Sequence, residues 1–326
     1  MRMWLIIIAV LVLAPVTILA AMIVFGTGAA PPPMASIGEP FRTVDFSDAP
    51  PITRIKARDG TQLAVRVWNA AGAPAEIGRV VIAIHGSSAN GQSLHPLAKM
   101  LRNAGITVYA PDIRGHGDSG RRGDIDYATQ LDDDLADLVT AVRAVHPKAA
   151  LTLLGFSSGG GFALHIAGST VGNQFERAVL ISPMLGPWAP TAQVTGNAWA
   201  KPFIPRIIAL IILGRLHLHA FDSLPTLAFA IAPENAQRLT GIYSFRLMAG
   251  FGTLDYAADL RNAKCAVAVL VGSADELFFA DKFAPTVHAE CADVPVTVVP
   301  DLGHIAMTTD ARAYPAILAA VKNSSR

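Results

Sequence analysis

From Met3 to Phe25 the chain reads MWLIIIAVLVLAPVTILAAMIVF, apolar throughout except for Pro15 and Thr17. Wound as a helix at ~1.5 Å per residue, it spans roughly 34 Å, enough to cross a hydrocarbon core of about 30 Å. Arg2 precedes it and the next charged residue is Glu39. One arginine and the amino terminus therefore carry a positive-inside bias, which predicts a transmembrane anchor over 1–27 with the remainder exported. Two other readings stay open. A cleaved signal peptide usually has an apolar stretch of only ~7–15 residues, with Thr27-Gly28-Ala29-Ala30 as a processing site beside Pro31. A buried core helix is disfavoured for an unbroken terminal run. Residues 28–44, with GAAPPP at Gly28–Pro33, read as a semi-rigid linker, because prolines extend the backbone.

After the linker the pattern changes period. Ile52 to Lys56 and Leu63 to Trp68 alternate around Asp59-Gly60, which predicts an edge hairpin. Arg79 to His85 (RVVIAIH) is continuously β-branched and apolar, the mark of a strand buried on both faces. Further strands are predicted at 106–110, 150–154, 178–181, 266–271 and 295–299, and helices at 93–104, 129–145 and 159–167. Such alternation implies a mostly parallel sheet with helices on both faces. The core then comprises 45–182 and 256–326. Residues 183–255 lack the buried-strand pattern and include Phe203 to Leu216 (FIPRIIALIILGRL), so they read as a helical cap over the strands' carboxyl ends, where open α/β sheets bind ligands.

The composition narrows the possible functions. Of 326 residues 52% are hydrophobic and 16% charged, and 26 Lys plus Arg oppose 25 Asp plus Glu. No basic run exceeds Arg121-Arg122, so no nucleic-acid footprint is expected. Two cysteines, Cys265 and Cys291, are too few for a disulfide scaffold. Each precedes one of two successive strands, which leaves one bridge or two thiols open. Asp112, His116 and Asp118 resemble metal ligands, but no second cluster supports a metal site, and no cofactor is expected. The Asp132-Asp133-Asp134 run opens a predicted helix and reads as a solvated helix start.

The sharpest chemical signal is Gly155-Phe156-Ser157-Ser158-Gly159, a G-x-S-x-G between a predicted strand and a small-residue helix. A tight strand-to-helix turn lifts the Ser157 hydroxyl above the sheet, and the helix N-terminus behind it offers free N–H groups to an oxyanion. His304, in Asp301-Leu-Gly-His304 just past a strand, sits on a loop free to reach that turn as a general base. Asp275 ends the Val-Leu-Val-Gly-Ser-Ala run, with Glu276, Asp301 and Asp255 as rival acids.

These residues resemble the α/β-hydrolase family, in its monoacylglycerol lipase, lysophospholipase and serine-aminopeptidase-like branch. The resemblance rests on His85-Gly86, the Asp112-to-Ser119 loop (DIRGHGDS), the Ser157 elbow, Asp275 and Gly303-His304, and it covers Ile52 to the C-terminus. It implies an α/β-hydrolase fold and a catalytic triad of Ser157, Asp275 and His304. The implied oxyanion hole is made by the backbone N–H of Ser87 and Ser158, although Ser87 and Ser88 could instead cap the next helix. The Arg114-to-Ser119 turn is implied to be architectural. The expected function is a membrane-anchored serine hydrolase cleaving carboxylic esters of lipid-like substrates such as monoacylglycerol or lysophospholipid. The alternatives are an aminopeptidase-like enzyme with an acidic cap pocket (Glu234, Asp222, Asp255), a thioesterase, or a non-catalytic tethered binding module. A serine at the elbow excludes the aspartate-dependent dehalogenases and epoxide hydrolases.

Overall fold

A computed structural model describes residues 2–72, 78–193 and 199–323, with side chains from Leu13 onward. In chain order the strands are β1 (Ile52–Lys56), β2 (Gln62–Trp68), β3 (Arg79–Ile84), β4 (Thr107–Pro111), β5 (Ala150–Phe156) and β6 (Arg177–Ile181). They continue as β7 (Ala200–Pro202), β8 (Pro225–Phe229), β9 (Ile242–Ser244), β10 (Ala266–Gly272) and β11 (Val296–Val299). Eight form one sheet in the order β1-β2-β4-β3-β5-β6-β10-β11. The β1–β2 and β2–β4 pairings are antiparallel and the rest parallel.

The continuous apolar runs form central strands because both sheet faces are covered. Val80, Ile82 and Ile84 point into one core layer with Leu135 and Val142 of the helix Gln130–Val145 and Phe162 of the helix Ser158–Gly168. Val81 and Ala83 point the other way, against Leu97 and Leu101 of the helix His95–Asn103 and Ile317 of the helix Tyr314–Lys322. A period-two strand between two such layers leaves only its ends for chemistry.

Three expectations change. The cap is not purely helical: β7, β8 and β9 form a separate antiparallel sheet beside the helices Ile204–Arg215 and Phe245–Gly250. Strands of three to five residues are too short to leave a readable alternation. The acidic run is not a solvated helix start. Asp133 pairs with Arg58, Asp134 with Arg114 at 2.6 Å, and Asp132 with His165 at 3.0 Å. Arg58 and Arg114, which also reaches Asp59, tie the helix to the turn of the β1–β2 hairpin. The segment after the N-terminal helix, expected as a semi-rigid linker, packs on the cap instead. The Met34 amide donates to the Ala230 carbonyl of the cap, and a short helix forms at Ala35–Gly38. Both cysteines are free thiols.

The N-terminal residues form one helix, Arg2–Phe25, and the first twelve side chains of the expected anchor lie outside the described residues. Among the described residues no helix is long and apolar enough to cross a membrane. This helix packs on the cap helix Ile204–Arg215. The buried guanidinium of Arg206 donates to the carbonyls of Ile23 (2.8 Å) and Pro225 (2.9 Å), the first of which is in the helix's last turn. A cation there meets carbonyls that have no partner within the helix.

In the core, His165 provides a titratable measure of how the helix Ser158–Gly168 packs on the helix Gln130–Val145. Its bond to Asp132, then that to Asp259, raises its pKa from 6.5 to about 10. A pKa raised on folding stabilises fully below the unfolded value, and that contribution is lost as pH rises through about 10. The difference in urea midpoint between wild type and His165→Asn is therefore expected to be largest near pH ~6 and to close by pH ~10.5. A difference that does not change with pH would contradict the pairing.

Candidate active site

The elbow is built by close approach of backbone to backbone. Ser157 follows β5 directly and adopts φ +56°, ψ −121°, a strained conformation for a residue with a side chain. The surroundings over-determine it: its amide donates to Ile181 O at 2.9 Å, and its carbonyl accepts from Gly160, Gly161 and Met184 at 2.9–3.0 Å. Both motif glycines are sterically required. A Cβ on Gly155 would stand 2.1 Å from the Gly159 carbonyl oxygen, and one on Gly159 2.3 Å from that of His85. The helix Ser158–Gly168 starts immediately after the serine, so the Ser158 amide is one of the donors a helix N-terminus leaves free.

Asp275 lies beyond the end of β10, with its side chain fully enclosed. One carboxylate oxygen accepts from the amides of Leu277 (2.9 Å) and Phe278 (3.0 Å), and the other faces His304 Nδ1 at 2.9 Å. Burial pushes this carboxyl up, but the His304 charge and hydrogen bond and the Leu277 amide outweigh it, leaving its pKa below the ordinary value. An acceptor-only carboxylate at Nδ1 puts the ring proton there and leaves Nε2 as the free acceptor. Phe156 and Phe278 hold the imidazole, with ring centroids 4.8 and 5.3 Å away. The rival acids do other work. Glu276 accepts from the His304 amide at 2.8 Å, Asp255 caps the helix Tyr256–Asn262, and Asp301 is exposed, its amide donating to the Ser273 hydroxyl oxygen. Ser157 and His304 line one cavity without a hydrogen bond to each other, a contact that often tightens only with substrate bound.

The loop after β3 carries the second expected donor, the Ser87 amide. Buried His85 donates from Nδ1 to the Gly86 carbonyl at 2.7 Å and accepts at Nε2 from the Ile113 amide at 3.1 Å. Burial lowers its pKa, so it stays neutral in this tautomer. The Gly86 carbonyl and the Ser87 N–H belong to one trans peptide and point in opposite directions. Holding the carbonyl therefore turns the Ser87 amide away from His85. Neither Ser87 nor Ser88 caps the next turn; that role falls to Asn90, which accepts from the Gln92 amide. The Ser87 hydroxyl instead accepts from Trp199 Nε1 at 2.9 Å.

A family model described as serine aminopeptidase, S33, matches residues 75–305. The chain belongs to this family. It is 28% identical over 187 residues to the monoglyceride lipase of Rattus norvegicus, covering 56% of this chain and 59% of that protein. It is 32% identical over 105 residues to the monoacylglycerol lipase of Mycolicibacterium smegmatis, covering 32% and 37%. These alignments span less than two thirds of either relative. A soluble variant of monoglyceride lipase from Saccharomyces cerevisiae, solved in complex with a substrate analog, superposes with a TM-score of 0.65 at 16% identity. That superposition covers 86% of this chain and 96% of that one, and it establishes the α/β-hydrolase fold.

Around this S33-family site lies a cavity of about 1100 Å³. Its core-domain wall includes Ser87, Ser157, Leu277 and His304, and its cap wall includes Trp199 and Ile231. Sequence reasoning missed a third wall. Residues 33–42, within the segment assigned to the linker, contribute Met34, Ile37 and Phe41; the apolar pair Ile37 and Phe41, four apart, was the available signal. Of the acids an aminopeptidase pocket would use, Glu234 lines the cavity. Asp222 pairs with His219 instead, and Asp255 is the helix cap already described. The Asp112 carboxylate accepts from the amides of Gly91 and Asp118, so the Arg114-to-Ser119 turn is architectural. Among the described residues no three His, Cys, Asp or Glu side chains are grouped to hold a metal.

The elbow's tight packing is directly testable. Gly159→Ala places a Cβ against two backbone carbonyls, His85 at 2.3 Å and Ile84 at 2.6 Å, and is expected to cost about 1–3 kcal/mol or prevent folding. Gly38→Ala meets no atom within 4 Å and should stay within about 0.5 kcal/mol of wild type. Chemical denaturation of both variants checks the contrast.

Proposed function

We propose that this protein is a membrane-anchored serine hydrolase that cleaves carboxylic esters of lipid-like substrates, monoacylglycerol or lysophospholipid, through an acyl-enzyme on Ser157. The observation that carries this reading is the Asp275–His304 contact at 2.9 Å in the cavity that Ser157 shares. The Ser157 oxygen attacks the ester carbonyl carbon while its proton moves to His304 Nε2. The amides of Ser87 and Ser158 stabilise the tetrahedral oxyanion. Asp275 keeps the imidazole in the required tautomer and offsets the charge it acquires. Collapse expels the alcohol, which takes the proton from His304. Water then gives a proton to His304 as it attacks the acyl carbon, and collapse of the second tetrahedral intermediate returns that proton to the Ser157 oxygen and releases the acid.

Support for a lipid-like acyl group comes from the apolar side chains along the cavity, Met34, Ile37, Phe41, Ile231 and Leu277, and from the names of the monoglyceride lipases the chain resembles. Support for anchoring comes from the apolar run at 3–25 and from the exposure of Leu13, Val16, Val24 and Phe25 on the helix it forms. With Arg2 ahead of that helix and no charge before Glu39, the hydrolase domain lies on the exported side.

A fluorophosphonate probe is expected to label the wild-type chain and not Ser157→Ala, and p-nitrophenyl esters to be hydrolysed by the first alone. Asp275→Asn should fold and lose roughly 10⁴-fold in kcat. Turnover of peptide substrates with no ester cleavage, or equal labelling of wild type and Ser157→Ala, would remove this function. For the anchor, the full chain should stay in the membrane pellet through alkaline carbonate, and protease added to spheroplasts should digest the domain. Release by carbonate would rule out the anchor, and protection from protease would reverse its sidedness.

A further inference from the structure

The cap is bonded to the loop that carries the Ser87 amide. Ser88, next along, is buried with φ +66°, a conformation that costs about 1–3 kcal/mol unless its surroundings enforce it. They do so from the cap. The Ser88 amide donates to the Tyr243 hydroxyl at 2.7 Å, the Ser88 hydroxyl donates to the Thr240 carbonyl at 2.7 Å, and the Thr240 amide donates back to the Ser88 carbonyl at 2.8 Å. Thr240 and Tyr243 belong to the cap segment at β9, and Trp199, bonded to the Ser87 hydroxyl, directly precedes β7.

Tyr243 is itself fixed. Its ring packs on Phe229 of β8 at 4.6 Å between centroids, and its hydroxyl donates to Nε2 of buried His116. His116 directs Nδ1 at the Ile113 carbonyl, 3.2 Å away, so Nε2 is the acceptor. Burial, reinforced by neighbouring His85, keeps this imidazole neutral, with its pKa well below the ordinary value. The bonds close a ring. The Ile113 amide holds His85, His85 holds the Gly86 carbonyl, the Ser88 amide is held by Tyr243, Tyr243 by His116, and His116 by the Ile113 carbonyl. The peptide units on both sides of the Ser87 Cα are thereby fixed.

We infer that Tyr243 is a positioning residue: from the cap, its hydroxyl fixes the Ser88 amide and so keeps the adjacent Ser87 amide aimed at the oxyanion. This rests on the proposed ester hydrolysis. In that reaction the cap does more than enclose substrate, because it sets the geometry of one of the two oxyanion donors. A misaimed donor weakens the transition state and leaves ground-state binding intact, so the loss falls on kcat and not on KM.

The test is Tyr243→Phe in the full chain, in detergent, with p-nitrophenyl butyrate and a long-chain p-nitrophenyl ester. Expected is a kcat lower by about 10- to 100-fold, somewhat less than the ~10²–10³ of deleting a donor, with KM within about twofold and the same factor for both acyl lengths. The inhibition constant of an alkyl trifluoromethyl ketone, which forms the tetrahedral oxyanion with Ser157, should rise by the factor lost from kcat/KM. A purely structural lesion would lower the active fraction, titrated by the fluorophosphonate, and leave kcat per labelled site and the inhibition constant unchanged. That result overturns the inference, as does a kcat within twofold of wild type or a loss confined to the long ester. If Tyr243→Phe does not fold, His116→Phe, which keeps a ring in place but removes the acceptor that orients the Tyr243 hydroxyl, carries the same comparison with the same outcomes. A wild-type chain that neither labels nor cleaves esters fails the underlying reading first, and is separated from failure of the inference by that control alone.

Discussion

A carboxylate with no exposed side-chain surface can remain charged only if donors surround it. Asp275 meets that condition with two amides on one oxygen and the imidazole of His304 on the other. The rest of the site follows from this satisfaction. Burial drives the group toward its neutral form; the His304 contact above all, with the Leu277 amide adding to it, more than offsets this, and a neutral acid there could not act as a fixed acceptor for Nδ1. The tautomer of His304, the availability of its Nε2, and the basicity of that nitrogen toward a neighbouring hydroxyl all depend on one enclosed negative charge. Glu276 acts on the same residue by a different route. It holds the His304 amide, so adjacent acids fix the backbone and the ring of one histidine.

What the chain reveals in advance depends on how long a pattern persists. Strands β3, β5, β6 and β10 run five to seven residues between helices, with both faces buried, and an unbroken apolar run reports that directly. The elbow was equally legible, because Gly155 and Gly159 occupy positions where any Cβ would strike backbone, a constraint that sequence must display. The cap sheet was not. Its strands are three to five residues long, and its partners lie far apart in the chain. The wall made by Met34, Ile37 and Phe41 was hidden for a related reason: a proline-rich stretch gives the composition of a linker whether or not it lies against something. The aspartate run misled in the opposite sense. Its charges complement a helix start as read, yet Arg58, Arg114 and His165 come from elsewhere in the chain to pair with them, and local sequence carries no trace of that.

Sheet and cap consequently divide the work differently from a scaffold and a cover. The elbow and the Asp275 loop hang on the carboxyl ends of β5 and β10, rigid because both faces of those strands are packed. The loop with Gly86, Ser87 and Ser88 has no such backing on its outer side. There the surface is closed by Trp199, Thr240 and Tyr243. A short, sequence-obscure sheet is well suited to this. The pairing of β9 with β8 and the Tyr243–Phe229 contact make it stiff enough to hold a hydroxyl in place, while its loops stay available to line the cavity.

The same cap faces the N-terminal helix. Arg206 is buried with no carboxylate among its hydrogen-bond partners, and burial lowers its pKa. It is compensated by carbonyls, two of them in the last turn of the helix Arg2–Phe25 and one at the start of β8. A cation placed among unpaired carbonyls at a helix end is favourable, and less screened when enclosed. Removing either partner would leave the other unsatisfied, since the guanidinium would lose its acceptors and the helix its cap. Gly26 is required first by the helix it follows, where a Cβ would stand 2.0 Å from the Met22 carbonyl oxygen, and then by this contact, where it would lie 2.7 Å from the Arg206 amide nitrogen. The N-terminal helix is therefore joined to the cap at a defined point rather than through a free spacer. The helix ends at Phe25 and the chain enters the cavity wall at Pro33, so a displacement of this helix would act on the segment that encloses Ser157.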